Sequence, residues 1–187
     1  IFSAFLHDIT ERKQVEAIRE HEATHDPLTG LLNRRGMFDL LSQAIARVKR
    51  TRASLALLFI DLDGFKQIND THGHEAGDAV LREVAARLQA SIRQTDTAAR
   101  LGGDEFTVIL ENIKHGIPDA NMLAQKILET LQHPIQLDSV TATISASIGI
   151  SMHHPYDERS ADQLVNAADS AMYTAKHAGK NQVCVHK

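Results

Sequence analysis

The 187 residues are 43% apolar and 24% charged, the balance of one soluble domain with a short appendage. A formal charge of −4 argues against a general nucleic-acid binder, so any anionic ligand must be held by local cations or by metal. The longest apolar run, Leu55 to Ile60, is far too short to span a membrane, and the single cysteine, Cys184, excludes an internal disulfide.

The chain begins Ile1-Phe2-Ser3 with no initiator methionine or signal-peptide pattern, and reads as a piece of a longer protein. Residues 1 to 7 have the character of a short strand. Asp8 followed by Glu11 gives a capping signature, and the sequence from there to about Glu22 is charged and helix-favouring. Val15 and Ile18 are too few to stabilise that helix alone; a solvated connector and a signalling helix paired with its twin both fit. The compact domain opens at His25-Asp26-Pro27-Leu28-Thr29-Gly30, where Pro and Gly punctuate a turn. Met37, Leu40, Leu41, Ile45 and Val48 predict a helix over 33–50, and Leu55 to Leu62 has strand length. Ala79, Val80, Val84, Leu88 and Ile92 predict a second helix over 75–93. Strands at 96–101 and 105–110 flank a Gly-Gly turn, and a helix follows over 119–132. Strands at 134–138 and 141–151 read as another hairpin, before a helix over 161–178 and a last strand at 182–186. Two tight hairpins require antiparallel neighbours, so the fold class is α/β (α+β type) with a mixed or mainly antiparallel sheet.

Two segments carry chemistry. In Phe59-Ile60-Asp61-Leu62-Asp63-Gly64-Phe65-Lys66, two acids two residues apart leave the end of an apolar strand on one face, suiting a hard cation. Alone, such acids are usually solvated loop residues. In Arg100-Leu101-Gly102-Gly103-Asp104-Glu105-Phe106, two glycines allow a tight hairpin and close approach of backbone to a phosphate. Beside a second acidic strand end, Asp104 and Glu105 become half of a metal site.

Gly102-Gly103-Asp104-Glu105-Phe106 resembles the signature of the GGDEF-domain diguanylate cyclases. The resemblance extends through His25 to Arg34, through Asp61 and Asn69-Asp70-Thr71-His72-Gly73-His74 to Gly77-Asp78, and through Ala168-Asp169 to Lys176 and Gly179-Lys180-Asn181. It covers residues 25 to 187. It implies a mostly antiparallel five-stranded sheet wrapped by helices, similar to nucleotide cyclase and polymerase palm domains. Asp8 to Lys13 is similar to the tail of a PAS sensor running into a linker helix, which makes 1–24 the end of an upstream sensor.

The activity implied is condensation of two GTP molecules into cyclic di-GMP with release of two pyrophosphates, chemistry in which positioning and charge neutralisation dominate. By similarity, Asp61, the Leu62 carbonyl and Asp104 hold magnesium, with manganese as an alternative. Asp104 also takes the catalytic position, Glu105 assists it, and Asp63 stands behind them. Asp78, with Asn69, matches the family's guanine-selecting pair; a carboxylate accepts both N1–H and N2–H₂ of guanine and finds neither on adenine. Outside the resemblance these two would be ordinary cap and turn residues. The backbone N–H groups from Gly64 through Phe65 to Lys66 suit a small phosphate nest, with Phe65 and Lys66 among the expected substrate contacts, and Lys176 and Lys180 match the triphosphate contacts. Lysine at position 180 replaces the usual arginine, keeping charge and losing the bidentate fork. Arg93 and Asp96 fall at the spacing of the family's product-inhibition site; the plainer alternative is a surface ion pair.

The resemblance implies a cytoplasmic homodimer, because GTP is cytosolic and two domains must face each other, whether or not the parent protein is anchored in the inner membrane. A catalytically silent GTP-binding module that regulates an adjacent domain is the rival reading. A receptor that only binds cyclic di-GMP through Arg93 and Asp96 is a third.

Overall fold

The structure, a computed structural model, describes residues 21–137 and 141–187. The predicted strand at 1–7 and most of the predicted helix at 8–22 lie outside these residues; positions 21–24 are helical and lead into the domain. The elements that follow are α1 (Arg34–Thr51), β1 (Ser54–Asp63), α2 (Phe65–His72), α3 (His74–Ser91), β2 (Thr97–Gly102), β3 (Glu105–Ile113), α4 (Ile117–Leu131), β4 (Ile135–Gln136), β5 (Thr141–Ala142), β6 (Ser145–His153), α5 (Ala161–His177) and β7 (Gln182–Val185).

Five strands form one sheet in the order β2-β3-β1-β6-β7. β1 is antiparallel to both β3 and β6, β2 is antiparallel to β3, and only β6–β7 is parallel. β1 therefore has a strand on each edge, and helices cover both of its faces, which is why its sequence is a continuous apolar run instead of an alternating one. Period two divides that run between two cores. Ala56, Leu58, Ile60 and Leu62 pack in the cluster that includes Val80, Val84 and Leu88 of α3 and Ile127 and Leu131 of α4. Leu55, Leu57 and Phe59 pack with Met37 and Leu41 of α1 and Leu164, Ala168 and Met172 of α5. Leu57, Leu58 and Ile60 are fully buried, each contributing about 1.5–3 kcal/mol by leaving water. Asp61 and Asp63 continue the odd-numbered register, so they emerge on the side that α5 covers.

One element is added to the expected set and one expectation is corrected. The stretch after Gly64 is the short helix α2, buried only through Phe65 and Ile68, and glycines at both of its caps break the helical period seen in the sequence. The predicted second hairpin divides into two pieces: β4 and β5 make a separate two-stranded ribbon. Only Ser145–His153 joins the main sheet, where its span is set by β1, from Leu55 opposite His153 to Asp63 opposite Ser145. Cys184 lies half-buried in β7 as a free thiol.

Candidate active site

The β2–β3 turn places its acids against the end of β1. Gly102 (φ 144°) and Gly103 (φ 51°) adopt backbone that L side chains disfavour, which tightens the turn. Asp61 then lies opposite Glu105 in register, and the Leu62 N–H donates to the Asp104 carbonyl at 3.2 Å. On the α5 side, Lys176 Nζ donates to Asp61 Oδ1 at 2.7 Å. Asp61, Leu62, Asp104 and Glu105 thus meet at one strand end, and Lys176, expected as a phosphate contact, joins them through Asp61.

Charge is crowded here. Burial pushes the Asp61 carboxyl above its usual value; the Lys176 hydrogen bond opposes that shift, and the charges of Asp104 and Asp63 add to it. Glu105 is likewise raised, first by burial, with Arg34 opposing and Asp61, Asp169 and Asp104 adding. Arg34 approaches Glu105 to 3.7 Å across solvent-exposed surface. Burial alone would lower Lys176, but its hydrogen bond to Asp61 and the charges of Asp61, Asp104 and Asp63 hold it above the ordinary lysine value. Oxygen donors that repel one another are the chemistry of a hard divalent cation. Among the described residues no three carboxylate, imidazole or thiolate side chains form a closed metal cage. The donor set fits magnesium, which takes few protein carboxylates and completes its shell with water and phosphate.

The brace of the turn escapes a reading of the sequence. Arg100 donates from Nε and Nη2 to the Gly103 carbonyl at 3.1 and 2.8 Å, and from Nη1 to both oxygens of Asp26 at 3.1 Å. Asp26 also accepts from the Thr29 N–H and hydroxyl at 2.9 and 2.6 Å. Burial alone would raise Asp26, but these bonds from Thr29 and Arg100 outweigh it and hold its carboxyl below the usual aspartate value. Both residues lie in motifs noted above, yet they are 74 positions apart and only the fold joins them.

A second group forms where α2 meets α3. Asn69 lies so close to Gly77 that a Cβ there would sit 1.9 Å from Asn69 Oδ1 and 3.3 Å from Phe65 Cζ. Asp78 follows Gly77 in α3, and both Asn69 and Asp78 are half-buried. Lys66 is exposed in the first turn of α2, whose N-terminus has no side-chain cap. Lys180 is exposed with φ 62° just after α5. Arg93 and Asp96 lie apart, at the opposite end of β2 from the Gly-Gly turn. They do not form the surface ion pair: the Asp96 carboxylate accepts from the Arg93 N–H at 3.1 Å. The Arg93 guanidinium makes no hydrogen bond or ion pair among the described residues, and it borders two surface cavities of about 330 and 340 Å³.

Residues 23–182 match the family described as diguanylate cyclase, GGDEF domain. The chain belongs to the GGDEF diguanylate cyclase family. This GGDEF domain is 46% identical over 162 residues to the bifunctional diguanylate cyclase/cyclic di-GMP phosphodiesterase MucR of Pseudomonas aeruginosa, covering 87% of the chain and 23% of MucR. It is 44% identical over 161 residues to the diguanylate cyclase TpbB of the same species, covering 86% of the chain and 37% of TpbB. The chain therefore spans well under half the length of these curated relatives. Its fold matches the coiled coil and GGDEF domain of DgcB from Caulobacter crescentus in complex with c-di-GMP, with a TM-score of 0.86, 30% identity and 98% of each chain covered. Among the described residues no helix is long and apolar enough to cross a membrane.

Proposed function

We propose that this GGDEF domain, residues 25–187, condenses two GTP molecules into cyclic di-GMP and two pyrophosphates, working in the cytoplasm as a homodimer driven by an upstream PAS-like sensor and linker in residues 1–24. The observation that carries the reading is the convergence of Asp61, the Leu62 backbone, Asp104 and Glu105 under a hairpin turn locked by Arg100. Asp61, Asp104 and the Leu62 carbonyl would hold magnesium, which when bound neutralises phosphate charge and acidifies the attacking hydroxyl.

The chain's own residues do the rest. Asn69 and Asp78 orient guanine, with Phe65 packed beneath them. Lys66 and the uncapped start of α2 meet phosphate oxygens. Lys176 and Lys180 take the terminal phosphates, and Lys176 exchanges its bond to Asp61 for that contact. Asp104, next to the 3′-hydroxyl, helps it lose its proton, with Glu105 in support, so that the oxygen attacks the α-phosphate of the second GTP and pyrophosphate leaves. Arg93, its guanidinium without a hydrogen bond or ion pair among the described residues, and Asp96 bind the cyclic product and restrain turnover.

One feature favours a second reading, a silent GTP-binding module: Lys180 stands where an arginine fork is usual. Incubation with GTP and magnesium across protein concentrations separates the two. Cyclic di-GMP formed at a specific rate that climbs with concentration, and lost in Asp104→Ala, supports the cyclase. GTP binding without product, even in a forced dimer, supports the module.

A further inference from the structure

The two acids of Asp61-Leu62-Asp63 have separate tasks. Asp61 meets Lys176, whereas the Asp63 carboxylate is occupied by three donors of the protein. Oδ1 accepts from Ser147 Oγ at 2.9 Å, and Oδ2 accepts from Ser145 Oγ at 3.2 Å and from the Asn181 N–H at 3.0 Å. The two serines come from β6, the neighbour of β1. The third donor lies 118 residues along the chain, in the loop that joins α5 to β7.

That loop has an uncommon backbone. Lys180 (φ 62°) and Asn181 (φ 45°) are consecutive non-glycine residues in the left-handed region, which persists only when its surroundings enforce it. The enforcing contacts are few: the Lys180 N–H to the Ala175 carbonyl at 3.2 Å, Gln132 Nε2 to Asn181 Oδ1 at 2.7 Å, and the Asp63–Asn181 bond. Of these, only Asp63 is charged, and only Asp63 ties the loop to the strand that carries the site.

We infer that Asp63 is a positioning residue, which anchors the 179–181 loop to the end of β1 and so sets Lys180 at the triphosphate alongside Lys176. This rests on the GTP reading above. With three protein donors already on its oxygens, Asp63 has little capacity left for a cation, which gives it a role distinct from that of Asp61.

The test combines binding of GTP, the magnesium concentration giving half-maximal binding, and amide exchange at residues 180–182, in Asp63→Ala and Asp63→Asn. Asp63→Ala should weaken GTP binding about tenfold, the loss of one charge-assisted contact. Lys180→Ala should do the same, and the two together should add little. The magnesium requirement should stay unchanged while exchange at 180–182 quickens. Asn181→Gly, which adopts the left-handed backbone freely, should recover much of the loss in the Asp63→Ala background. A raised magnesium requirement with unchanged loop exchange would make Asp63 a metal ligand and overturn the inference. So would a loosened loop with GTP affinity intact. A wild-type chain that binds no GTP defeats the parent reading instead, and the exchange rates then decide the tether by themselves. Asp63→Asn keeps one acceptor oxygen, and guards against a variant that fails to fold.

Discussion

Gly77→Ala separates folding from recognition at the α2–α3 junction. Gly77 lies inside α3, where alanine is favoured over glycine by about 0.5–1 kcal/mol. The new methyl would stand 1.9 Å from Asn69 Oδ1 and 2.9 Å from Asn69 Cγ. Relief requires the amide to move by roughly 1 Å, a displacement able to cost on the order of a hundredfold at a site that depends on orientation. The obstructing atoms are the end of a side chain, so Asn69 can swing aside and leave the fold nearly untouched. Thermal unfolding should therefore change by less than about 1 kcal/mol, while kcat/KM for GTP falls about a hundredfold. Asn69→Ala should lose a similar amount, and the double variant little more, because both changes remove the same contact. A Gly77→Ala protein with wild-type GTP affinity would refute the assignment of Asn69 to guanine. A loss of several kcal/mol in stability would show that the helices had been forced apart.

Three other outcomes are expected. Arg100→Lys keeps the charge but cannot hold Asp26 and Gly103 together, so turnover should fall at least about tenfold, and Asp26→Asn should add little to it in a double-variant cycle. Asp61 and Glu105 have raised carboxyl values, so the native state holds extra protons and its stability should drop as pH rises from the usual carboxylate range through those raised values. Asp104→Asn removes a repelling charge and should flatten that dependence while abolishing turnover, with melting temperature rising by about 2–4 °C per kcal/mol gained. Asp157 behaves oppositely: the Arg159 hydrogen bond lowers its carboxyl to about 2, so the stability it contributes is complete above the usual aspartate value of 3.8 and is lost as pH falls toward 2. Acid titration of Arg159→Met followed by circular dichroism should show that loss gone.

Elements whose periodicity is long and unbroken were legible in the sequence. β1 and α1 appear within a residue or two of their predicted limits because each buries a sustained pattern. α2 was not, since two buried residues between glycine caps leave no period to detect. Residues that converge at the candidate site were legible too, through motifs whose neighbours in sequence are neighbours in space: Asp61 with Leu62, Gly102 through Glu105. Their partners were not. Arg100 with Asp26, Lys176 with Asp61, and Asp63 with Asn181 join positions remote in the chain, and nothing local in any of them signals the other. Gly77 is the intermediate case: a glycine in a predicted helix marks a close approach, and only the fold names Asn69 as what approaches.

The site is built against the stability of the fold. Burial costs the Asp61 carboxylate more than its contacts offset, whereas the acids around Lys176 more than offset its own burial, and a partly buried ion pair of this kind seldom stabilises a protein over apolar replacements. Lys176 does not balance the cluster, because it faces Asp61, Asp104 and Asp63 together and remains over a third exposed. Apolar burial along β1 tolerates the deficit, since its interior residues are shielded on both faces and need nothing from the acids at its end. A strand selected for stability alone would replace Asp61 with another apolar residue. Retaining a carboxylate that is 7% exposed, beside two more and under a braced turn, makes physical sense when a cation and the phosphates it accompanies complete the charge. The same logic explains why the brace and tether consist of hydrogen bonds to backbone: Arg100 on the Gly103 carbonyl and Asp63 on the Asn181 N–H hold main chain in place, and so leave Asp104 and Lys180 free to meet a ligand.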